Sequence, residues 1–546
     1  MIPMNADLWY PFGLAAAASG LLLASGRRNG LKGKSTLHGT ARWATKKDLR
    51  RAGLLGADGV YVGAWKHGNQ VRYLRAGGGK HVMVVAPTGG GKSVGVVIPT
   101  LLSYLESVFV LDLKGELWAL TAGWRQQYAG NKVLRFEPAA AAGSCCFNPL
   151  DEVRVNTGYE VGDAQNIAMI IVDPDGKGLS NFWDKSGQTI LSGCILHLCL
   201  QARAGGPPAT LPELDRMLAS PNRPILKLWR QMQASSHPLV AQAGQEMIDR
   251  QDAPSEASGI ISTAKACLSS LFRDPVVAQN VSRSDFRIAD LMHADCPVSL
   301  YLITEGDDQV RLSPLTRILV NLVLRRLASG MEFEAGQAIP SYKHRLLLML
   351  DEFPSLRLPI FEKALAYMRS YGLCAVVVAQ DWGQLHAAYT KDESISKNCG
   401  VLAAFPPSPS DEHTAEYLSK LTGGTTVIHE QVTRNGGRGL FGSVSRTHQA
   451  LARPLLTPDE CLRLPGPKME GDRVAAPGEM LIFAKGTPAI RAQQLLYFQD
   501  PIFKARAAVP PPAQSDALHR QMGHAGPAPL VAPDAEMDGL EVEVAP

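Results

Sequence analysis

Short apolar runs recur along the chain, and each has the length of a β-strand that is covered on both faces. Such runs, without the polar–apolar alternation of a half-exposed strand, are typical of parallel sheets. Segments with apolar residues at helical spacing separate them, for example residues 315–327. The pattern therefore predicts an α/β fold with a parallel sheet. The predicted strands are residues 81–85, 107–111, 132–136, 297–303, 346–350, 374–379 and 401–405.

The stretch from about 159 to 292 has a different pattern. Apolar residues recur there at helical spacing, as in Ile190, Leu191, Cys194, Ile195 and Leu198, and we find no convincing strand. Prolines at positions 207, 208, 221 and 224 divide the stretch into several helices. It therefore predicts an all-α domain inserted into the α/β unit.

An uncharged and mostly apolar run of 18 residues, 8–25, lies near the N-terminus. Its length is at the lower limit for a helix that crosses the core of a bilayer. Arg27, Arg28, Lys32 and Lys34 follow the run, and such basic clusters hold the adjoining chain on the cytoplasmic side. A cleaved signal peptide fits less well, because the positive charges follow the run instead of preceding it. We therefore expect an N-terminal transmembrane helix.

These patterns divide the chain into six parts. We expect a membrane anchor over 1–30, a polar connecting region over 31–75, the first part of the α/β domain over 76–158, the all-α insertion over 159–292, the second part of the α/β domain over 293–505 and a flexible tail over 506–546. The tail is rich in Pro and Ala, is acidic from Asp534 to Glu543, and has too few apolar residues to form a core.

Composition narrows the function classes. Charged residues make up 19% and hydrophobic residues 45%, as in a globular protein. The net charge of +4 permits contact with nucleic acid but does not argue for it. The nine cysteines are scattered and form no C-x-x-C pair, which favours a reduced protein without a zinc module or a disulfide framework. Cys194, His197 and Cys199 do not share one helical face, so a buried helix explains them better than a metal site.

The strand at 81–85 leads into A-P-T-G-G-G-K-S, after which a helix is predicted. A strand, a Gly-rich loop and a helix in this order form a P-loop, where backbone N–H groups and the positive helix end surround phosphates. Lys92 would reach the β- and γ-phosphates and Ser93 would hold Mg²⁺. The sequence therefore predicts a site for ATP and Mg²⁺. Its nucleotide-binding residues are Ala86, in place of the usual first glycine, with Pro87, Thr88, Gly89, Gly90, Gly91, Lys92 and Ser93.

The apolar run 346–350 delivers two carboxylates at its carboxyl end, Asp351 and Glu352. Asp351 is expected to join Ser93 in holding Mg²⁺ and so to complete the nucleotide-binding set. Glu352 is expected to polarise the attacking water as a general base. Acidic residues often end strands, so the pair is informative only because the P-loop lies upstream.

Two further residues are catalytic candidates. Gln380 ends the next predicted strand, where its amide can sense the γ-phosphate by hydrogen bonding; the alternative is an exposed strand-end amide. Arg369 lies eleven positions earlier and is a candidate arginine finger towards a neighbouring subunit. The alternative for Arg369 is a solvated arginine at a helix end.

The layout of these motifs, with a long insertion between Lys92 and Asp351, resembles the coupling proteins of type IV secretion, the TraG/TraD family of conjugation ATPases. The resemblance covers nearly the whole chain. Beyond the motifs above, it rests on H-G-T-A-R-W from His38, D-L-K-G-E from Asp112, F-N-P-L-D from Phe147, N-F-W-D-K-S-G from Asn181 and R-P-L-L-T-P-D-E from Arg453.

The resemblance implies a RecA-like motor domain with an inserted all-α domain, assembled as a homo-hexameric ring in the bacterial inner membrane with the bulk of the chain in the cytoplasm. Such rings recruit relaxase-bound single-stranded DNA or effector proteins to the components of a type IV secretion channel and drive the transfer by ATP hydrolysis. Family members usually carry two N-terminal membrane helices, whereas this sequence shows one apolar run.

Two alternative functions stay open at the level of sequence. A DNA translocase of the chromosome-segregation type shares the motor but usually carries a DNA-reading module at its C-terminus, and no such module is visible past residue 505. A cargo receptor would use ATP mainly to hold its ring together.

Overall fold

The computed structural model describes residues 36–519, apart from 69, 220–224, 307, 331, 335–336, 340, 436–442 and 472. The strands are β1 (Val60–His67), β2 (Gln70–Ala76), β3 (Val82–Val85), β4 (Ser107–Asp112), β5 (Lys132–Phe136), β6 (Val298–Ile303), β7 (Glu332–Glu334), β8 (Gln337–Ile339), β9 (Leu346–Leu350), β10 (Leu373–Ala379), β11 (Val401–Ala404), β12 (Gly424–Asn435), β13 (Ser443–Pro454), β14 (Lys468–Glu470), β15 (Arg473–Ala476), β16 (Glu479–Ala484) and β17 (Ile490–Gln493).

The α-helices are α1 (Lys46–Arg51), α2 (Ile98–Leu101), α3 (Glu116–Gln127), α4 (Glu160–Val172), α5 (Phe182–Arg203), α6 (Leu211–Ala219), α7 (Ile225–Gln233), α8 (Pro238–Asp249), α9 (Pro254–Phe272), α10 (Pro275–Asn280), α11 (Asp290–His293), α12 (Asp308–Arg311), α13 (Ser313–Leu327), α14 (Pro359–Ala364), α15 (Trp382–Tyr389), α16 (Ile395–Asn398), α17 (Glu412–Thr422), α18 (Pro458–Leu462) and α19 (Pro501–Ala507). A π-helical turn, Ser93–Val97, precedes α2, and 3₁₀ turns occur at Pro149–Glu152, Arg250–Asp252, Phe353–Leu356 and Met368–Tyr371.

One mixed sheet of eleven strands organises the molecule, in the order β2-β1-β17-β16-β11-β3-β10-β9-β4-β6-β5. The seven strands from β11 to β5 are parallel, and the four on the other side pair antiparallel. These seven are the seven strands predicted from the apolar runs, with ends that differ by at most one residue. The predicted α/β fold with a parallel sheet is therefore confirmed.

The parallel strands are buried on both faces. In β3, Met83 and Val85 belong to the core on one face, and Val82 and Val84 belong to the core on the other. Helices cover both faces, so every position of such a strand is apolar and no alternation is visible in the sequence.

The antiparallel side of the sheet corrects one prediction. The polar connecting region expected over 31–75 contains, in its described part, α1 and the strands β1 and β2, which extend the sheet. The first three residues of β2 are exposed, and β1 has a β-bulge next to Gly63 (φ 134°). β2 therefore does not read as an apolar run, whereas the V-Y-V-G-A-W stretch of β1 is apolar and could have been predicted as a strand.

The chain between β5 and β6 is helical in the part that the structure describes, from α4 to α11. Its core is continuous with one face of the sheet. Phe147 joins the two, with its ring 6.0 Å from that of Phe136 on β5 and 4.9 Å from that of Phe286. The helices therefore pack onto the sheet, and their treatment as a separate domain over 159–292 stays a prediction.

The C-terminal segment corrects a second prediction. The tail expected to be flexible from 506 is packed on the fold as far as His519, and its residues 515 and 516 lie along the edge strand β5. The N–H of Val133 donates to the Asp516 carboxylate (2.8 Å), Asp516 N–H donates to Val133 O (3.0 Å), and Arg135 N–H donates to Ser515 Oγ (2.9 Å). Two side chains and one backbone N–H of the tail thus satisfy the edge of the sheet, a contact that composition does not reveal. The acidic stretch 534–543 lies outside the described residues.

Across residues 36–519, with the gaps given above, no helix combines the length and apolarity needed to cross a bilayer. The predicted transmembrane run 8–25 lies outside the described residues.

Candidate nucleotide site

The P-loop leaves the carboxyl end of β3 in the middle of the sheet. Its entry is fixed by the neighbouring strands, since Ala86 N–H donates to Ala379 O (3.0 Å) and Phe405 N–H donates to Val85 O (2.8 Å). The loop turns at Gly89 (φ 74°) and Gly91 (φ 90°), a backbone conformation that favours glycine. A helix N-terminus follows directly, as phosphate binding requires.

Gly90 makes the loop tight. A Cβ at this position would lie 2.9 Å from Pro87 O, closer than side-chain carbons approach a carbonyl oxygen. The Gly90 N–H donates to the same oxygen at 2.9 Å. The glycines thus allow the backbone to curl around a phosphate-sized group, which fits the predicted nucleotide.

The two carboxylates after β9 converge on the P-loop lysine. Lys92 Nζ lies 3.2 Å from Asp351 Oδ1 and 3.1 Å from Glu352 Oε2. All three side chains are between 16% and 17% exposed, so water screens these ion pairs only in part. Burial lowers the pKa of Lys92, but the charges of Asp351 and Glu352 outweigh it and hold the pKa above its usual value. Lys92 is therefore cationic at neutral pH.

Glu352 stands in a strained backbone conformation. Its φ of 56° and ψ of 39° are left-handed, which costs a non-glycine residue on the order of 1 kcal/mol. Ser355 stabilises the turn, because its N–H and its hydroxyl both donate to Glu352 O, at 3.1 and 2.8 Å. The turn directs the Glu352 carboxylate towards Lys92.

Gln380 links Glu352 to the P-loop. Its amide nitrogen donates to Glu352 Oε1 (2.5 Å), and its amide oxygen accepts from the Thr88 hydroxyl (3.1 Å). The structure thus brings together Thr88, Lys92, Asp351, Glu352 and Gln380. This bridge is the arrangement that a sensor of the γ-phosphate needs.

Gln384 is a site residue that sequence reasoning missed. It lies in the first turn of α15 and donates to Glu352 Oε1 (2.9 Å), while its own amide oxygen accepts from the Gln380 N–H (3.1 Å). Burial raises the pKa of Glu352, but the hydrogen bond from Gln384, the charge of Lys92 and the bond from Gln380 outweigh it, and the pKa lies below its usual value. Glu352 is therefore held as a carboxylate.

Gln494 is a second missed residue, buried directly after β17. Its amide nitrogen donates to Gly90 O (3.2 Å), and its amide oxygen accepts from the Gly478 N–H (3.3 Å). The antiparallel side of the sheet thereby supports the P-loop. No motif marks Gln494, because its role depends on β17, which was not predicted.

Arg369 does not join the other candidates. It is exposed, and its guanidinium donates to Gly78 O (3.1 Å), before β3 begins, whereas the P-loop follows the end of β3. Arg369 therefore lies at the amino ends of the parallel strands, whereas the P-loop of its own chain lies at their carboxyl ends.

The arrangement fits a nucleotide with a divalent cation. The loop supplies backbone N–H groups and the lysine charge for phosphates. The Ser93 hydroxyl and the Asp351 carboxylate are oxygen donors of the type that Mg²⁺ prefers. Glu352, held ionised beside them, can accept a proton from water.

Comparison with known proteins extends the picture to the whole chain. Residues 42–521 match the family model for conjugative DNA transfer in the type IV secretory system. A conjugal transfer protein TraG of Escherichia coli is 52% identical over 518 residues, covering 89% of this chain and 81% of that protein. The VirD4 protein of Agrobacterium fabrum is 28% identical over 508 residues, covering 88% of this chain and 70% of that protein.

The fold is also similar to solved structures. The plasmid coupling protein TrwB in complex with ADP and Mg²⁺ matches with a TM-score of 0.58 at 19% identity, over 84% of this chain and 94% of that chain. At this identity the likeness concerns the fold alone, and it supports a RecA-like α/β architecture.

Proposed function

Since the chain belongs to the family of type IV secretory system conjugative DNA transfer proteins and is a coupling ATPase of that family, we propose that it hydrolyses ATP at the P-loop to drive the transfer of its cargo. The convergence of Lys92, Asp351 and Glu352 carries this proposal, because a nucleotide-binding loop alone would not need an ionised glutamate beside its lysine. TrwB structures with ADP and Mg²⁺ and with a non-hydrolysable ATP analogue support nucleotide and Mg²⁺ as ligands.

The residues have distinct roles in the proposed reaction. When nucleotide is bound, Lys92 would turn from the carboxylates to the β- and γ-phosphates. Ser93 and Asp351 would hold Mg²⁺, which would neutralise the charge that develops on the phosphate oxygens. Glu352 then accepts the proton of the attacking water. Gln380 reports the γ-phosphate to Glu352 through its bridge from Thr88.

The cargo and the assembly are further parts of the proposal. The description of the family model supports DNA as cargo. We propose single-stranded DNA carrying a relaxase, or effector proteins, as the forms delivered to a type IV secretion channel. We propose a homo-hexamer anchored at the bacterial inner membrane, with residues 159–292 contributing to cargo recognition. The exposed aromatic pair Phe182 and Trp183 on α5 makes Trp183→Ala the first variant to compare with the parent in a pull-down of the natural cargo.

Two variants test the proposed motor. Lys92→Ala should abolish ATP turnover and cargo transfer by removing the charge that neutralises phosphate, and Glu352→Gln should lower turnover by at least about a hundredfold while trapping bound ATP. ATPase rates, retained radiolabelled ATP and transfer frequency would be measured, with the exposed Lys468→Ala as control. Transfer by Lys92→Ala at the parental frequency would contradict a motor and favour a receptor.

A further inference from the structure

The strands β12 and β13 form a separate two-stranded sheet, here called the ribbon. Twelve residues pair with twelve, from Gly424 opposite Pro454 to Asn435 opposite Ser443. At about 3.3 Å per residue the ribbon is about 40 Å long. A two-stranded hairpin of this kind is at best marginally stable in water without a surface to cover it.

Both faces of the ribbon expose aliphatic side chains. Val427 and Leu451 are opposite each other on one face and are 40% and 51% exposed. Ile428, which is opposite Ala450 on the other face, is 37% exposed. An arm that presents apolar side chains on two faces has the features of an interaction element.

The base of the ribbon is bonded to the first described residues of the chain. His38 N–H donates to the Thr426 hydroxyl (2.8 Å), and Ala41 N–H donates to Gly424 O (3.0 Å). A little further along, Ala44 N–H donates to Ala489 O (2.9 Å), in the turn between β16 and β17. The ribbon therefore starts where the N-terminal segment enters the fold.

The N-terminal segment enters the fold at the amino ends of the parallel strands, and the P-loop lies at their carboxyl ends. The turn that holds Ala44 adjoins the start of β11, because Lys485 N–H donates to Gly400 O (3.4 Å). Gly400 N–H in turn donates to His81 O (2.9 Å), just before β3 begins. The ribbon base and the nucleotide loop thus occupy opposite ends of the parallel strands.

Two observations identify a lipid surface as the occupant. The predicted membrane run ends at residue 25, so the chain from there to His38 can span at most about 45 Å, a length similar to that of the ribbon. In the paired strands 424–435 and 443–454 the charged residues are three arginines and one glutamate, although Arg453 is paired with Glu460. Positive charge together with exposed aliphatic side chains suits anionic headgroups over a hydrocarbon layer.

We propose that the ribbon lies against the membrane surface, with its exposed aliphatic side chains at the headgroup boundary and its excess of arginine attracting anionic lipid. This contact would fix the distance and tilt of the sheet relative to the bilayer, because it adds a second point of attachment to the predicted N-terminal run. The proposal rests on the predicted membrane run and is independent of ATP hydrolysis.

Photo-crosslinking of the full 546-residue chain in vesicles tests the contact. A benzophenone amino acid would replace Val427 in one protein and Val310 in another. Val310 on α12 is 85% exposed and follows the carboxyl end of β6, so it is the matched control at the opposite edge. Vesicles of phosphatidylcholine with and without phosphatidylglycerol would be compared, and flotation would show that both proteins are incorporated.

We expect lipid adducts at position 427 and none at position 310. The yield at 427 should fall at least about threefold without phosphatidylglycerol, and also in the double variant Arg434→Gln, Arg446→Gln. Adducts of position 427 mainly with a second copy of the chain, or with added single-stranded DNA, would overturn the proposal. Equal lipid adducts at both positions would also overturn it, and retained ATPase in each variant would exclude misfolding as the cause.

Discussion

A single carboxylate oxygen of Glu352 accepts hydrogen bonds from two glutamines, and these bonds would tune Glu352 for its proposed role as a base. Gln380 and Gln384 both donate to Glu352 Oε1, and the second oxygen lies beside Lys92. The three contacts keep the pKa of Glu352 low and its orientation fixed. Loss of one donor should therefore change both the pKa and the rate.

For Gln384→Leu we expect kcat to fall by about tenfold with a smaller change in KM, a part of the effect of a positioned base. Glu352 must be ionised to act, and loss of the bond raises its pKa, so the acidic limb of the kcat profile should move to higher pH. The pH–rate profile measures both effects. The exposed Gln201→Leu on α5 is the control, and an unshifted acidic limb in Gln384→Leu would contradict the role.

Local sequence was enough to predict which motif residues come together beside the P-loop. Lys92, Asp351, Glu352 and Gln380 each follow a buried strand, and parallel strands bring their carboxyl ends together. Gln494 could not be predicted in this way, because it reaches Gly90 from a strand that the apolar pattern does not reveal. Gln384 could have been found by noting which side chain lies one helical turn after Gln380.

At the level of elements, strands that are buried on both faces were the ones predicted from the sequence. The seven parallel strands are covered on both faces and read as apolar runs, whereas β2 and β17 mix polar and apolar positions. β1 and β16 contain apolar runs that the prediction did not include. The segment 513–519, here called the C-terminal strap, has no strand pattern at all. It covers the β5 edge through Asp516 and Ser515, which accept hydrogen bonds from the backbone of the strand.

An uncovered strand edge invites pairing between chains, so the C-terminal strap should protect the protein from aggregation. A chain ending at Ala508 should unfold at a temperature at least about 3 °C lower and should aggregate faster on heating. A chain ending at His519 keeps the C-terminal strap and is the matched control. Thermal unfolding and light scattering would show the difference, and equal behaviour of the two truncated chains would contradict the protective role.

On the scale of the whole molecule, the parallel sheet separates two sets of features. The carboxyl ends of its strands hold the nucleotide site, and the chain leaves for the helical insertion from the carboxyl end of β5. The opposite edge holds the entry of the N-terminal segment, the base of the ribbon and Arg369. Sequence predicted the strands but not this separation, because it follows from their common direction.

Because of its position, Arg369 can take its proposed role as an arginine finger only in an assembly of several subunits. Bonded to Gly78 O at the far end of β3, it can serve a P-loop only if that P-loop belongs to a neighbouring subunit. In a ring, each interface would combine the nucleotide of one subunit with the arginine of the next. Such an arginine stabilises charge in the transition state and is worth roughly 10³ to 10⁵ in rate.

Mixed assemblies test this role directly. Arg369→Ala and Lys92→Ala proteins should each be inactive alone, because the first lacks the arginine and the second lacks a working P-loop. In an equal mixture, an intact P-loop meets an intact arginine at about one interface in four, so ATPase should recover to at most about a quarter of the parental rate. Replacing the Lys92→Ala partner by the double variant Lys92→Ala, Arg369→Ala should abolish the recovery, since no arginine is then available. Absence of recovery in rings shown to be mixed would mean that Arg369 serves the fold at the entry edge of the sheet and takes no part in hydrolysis.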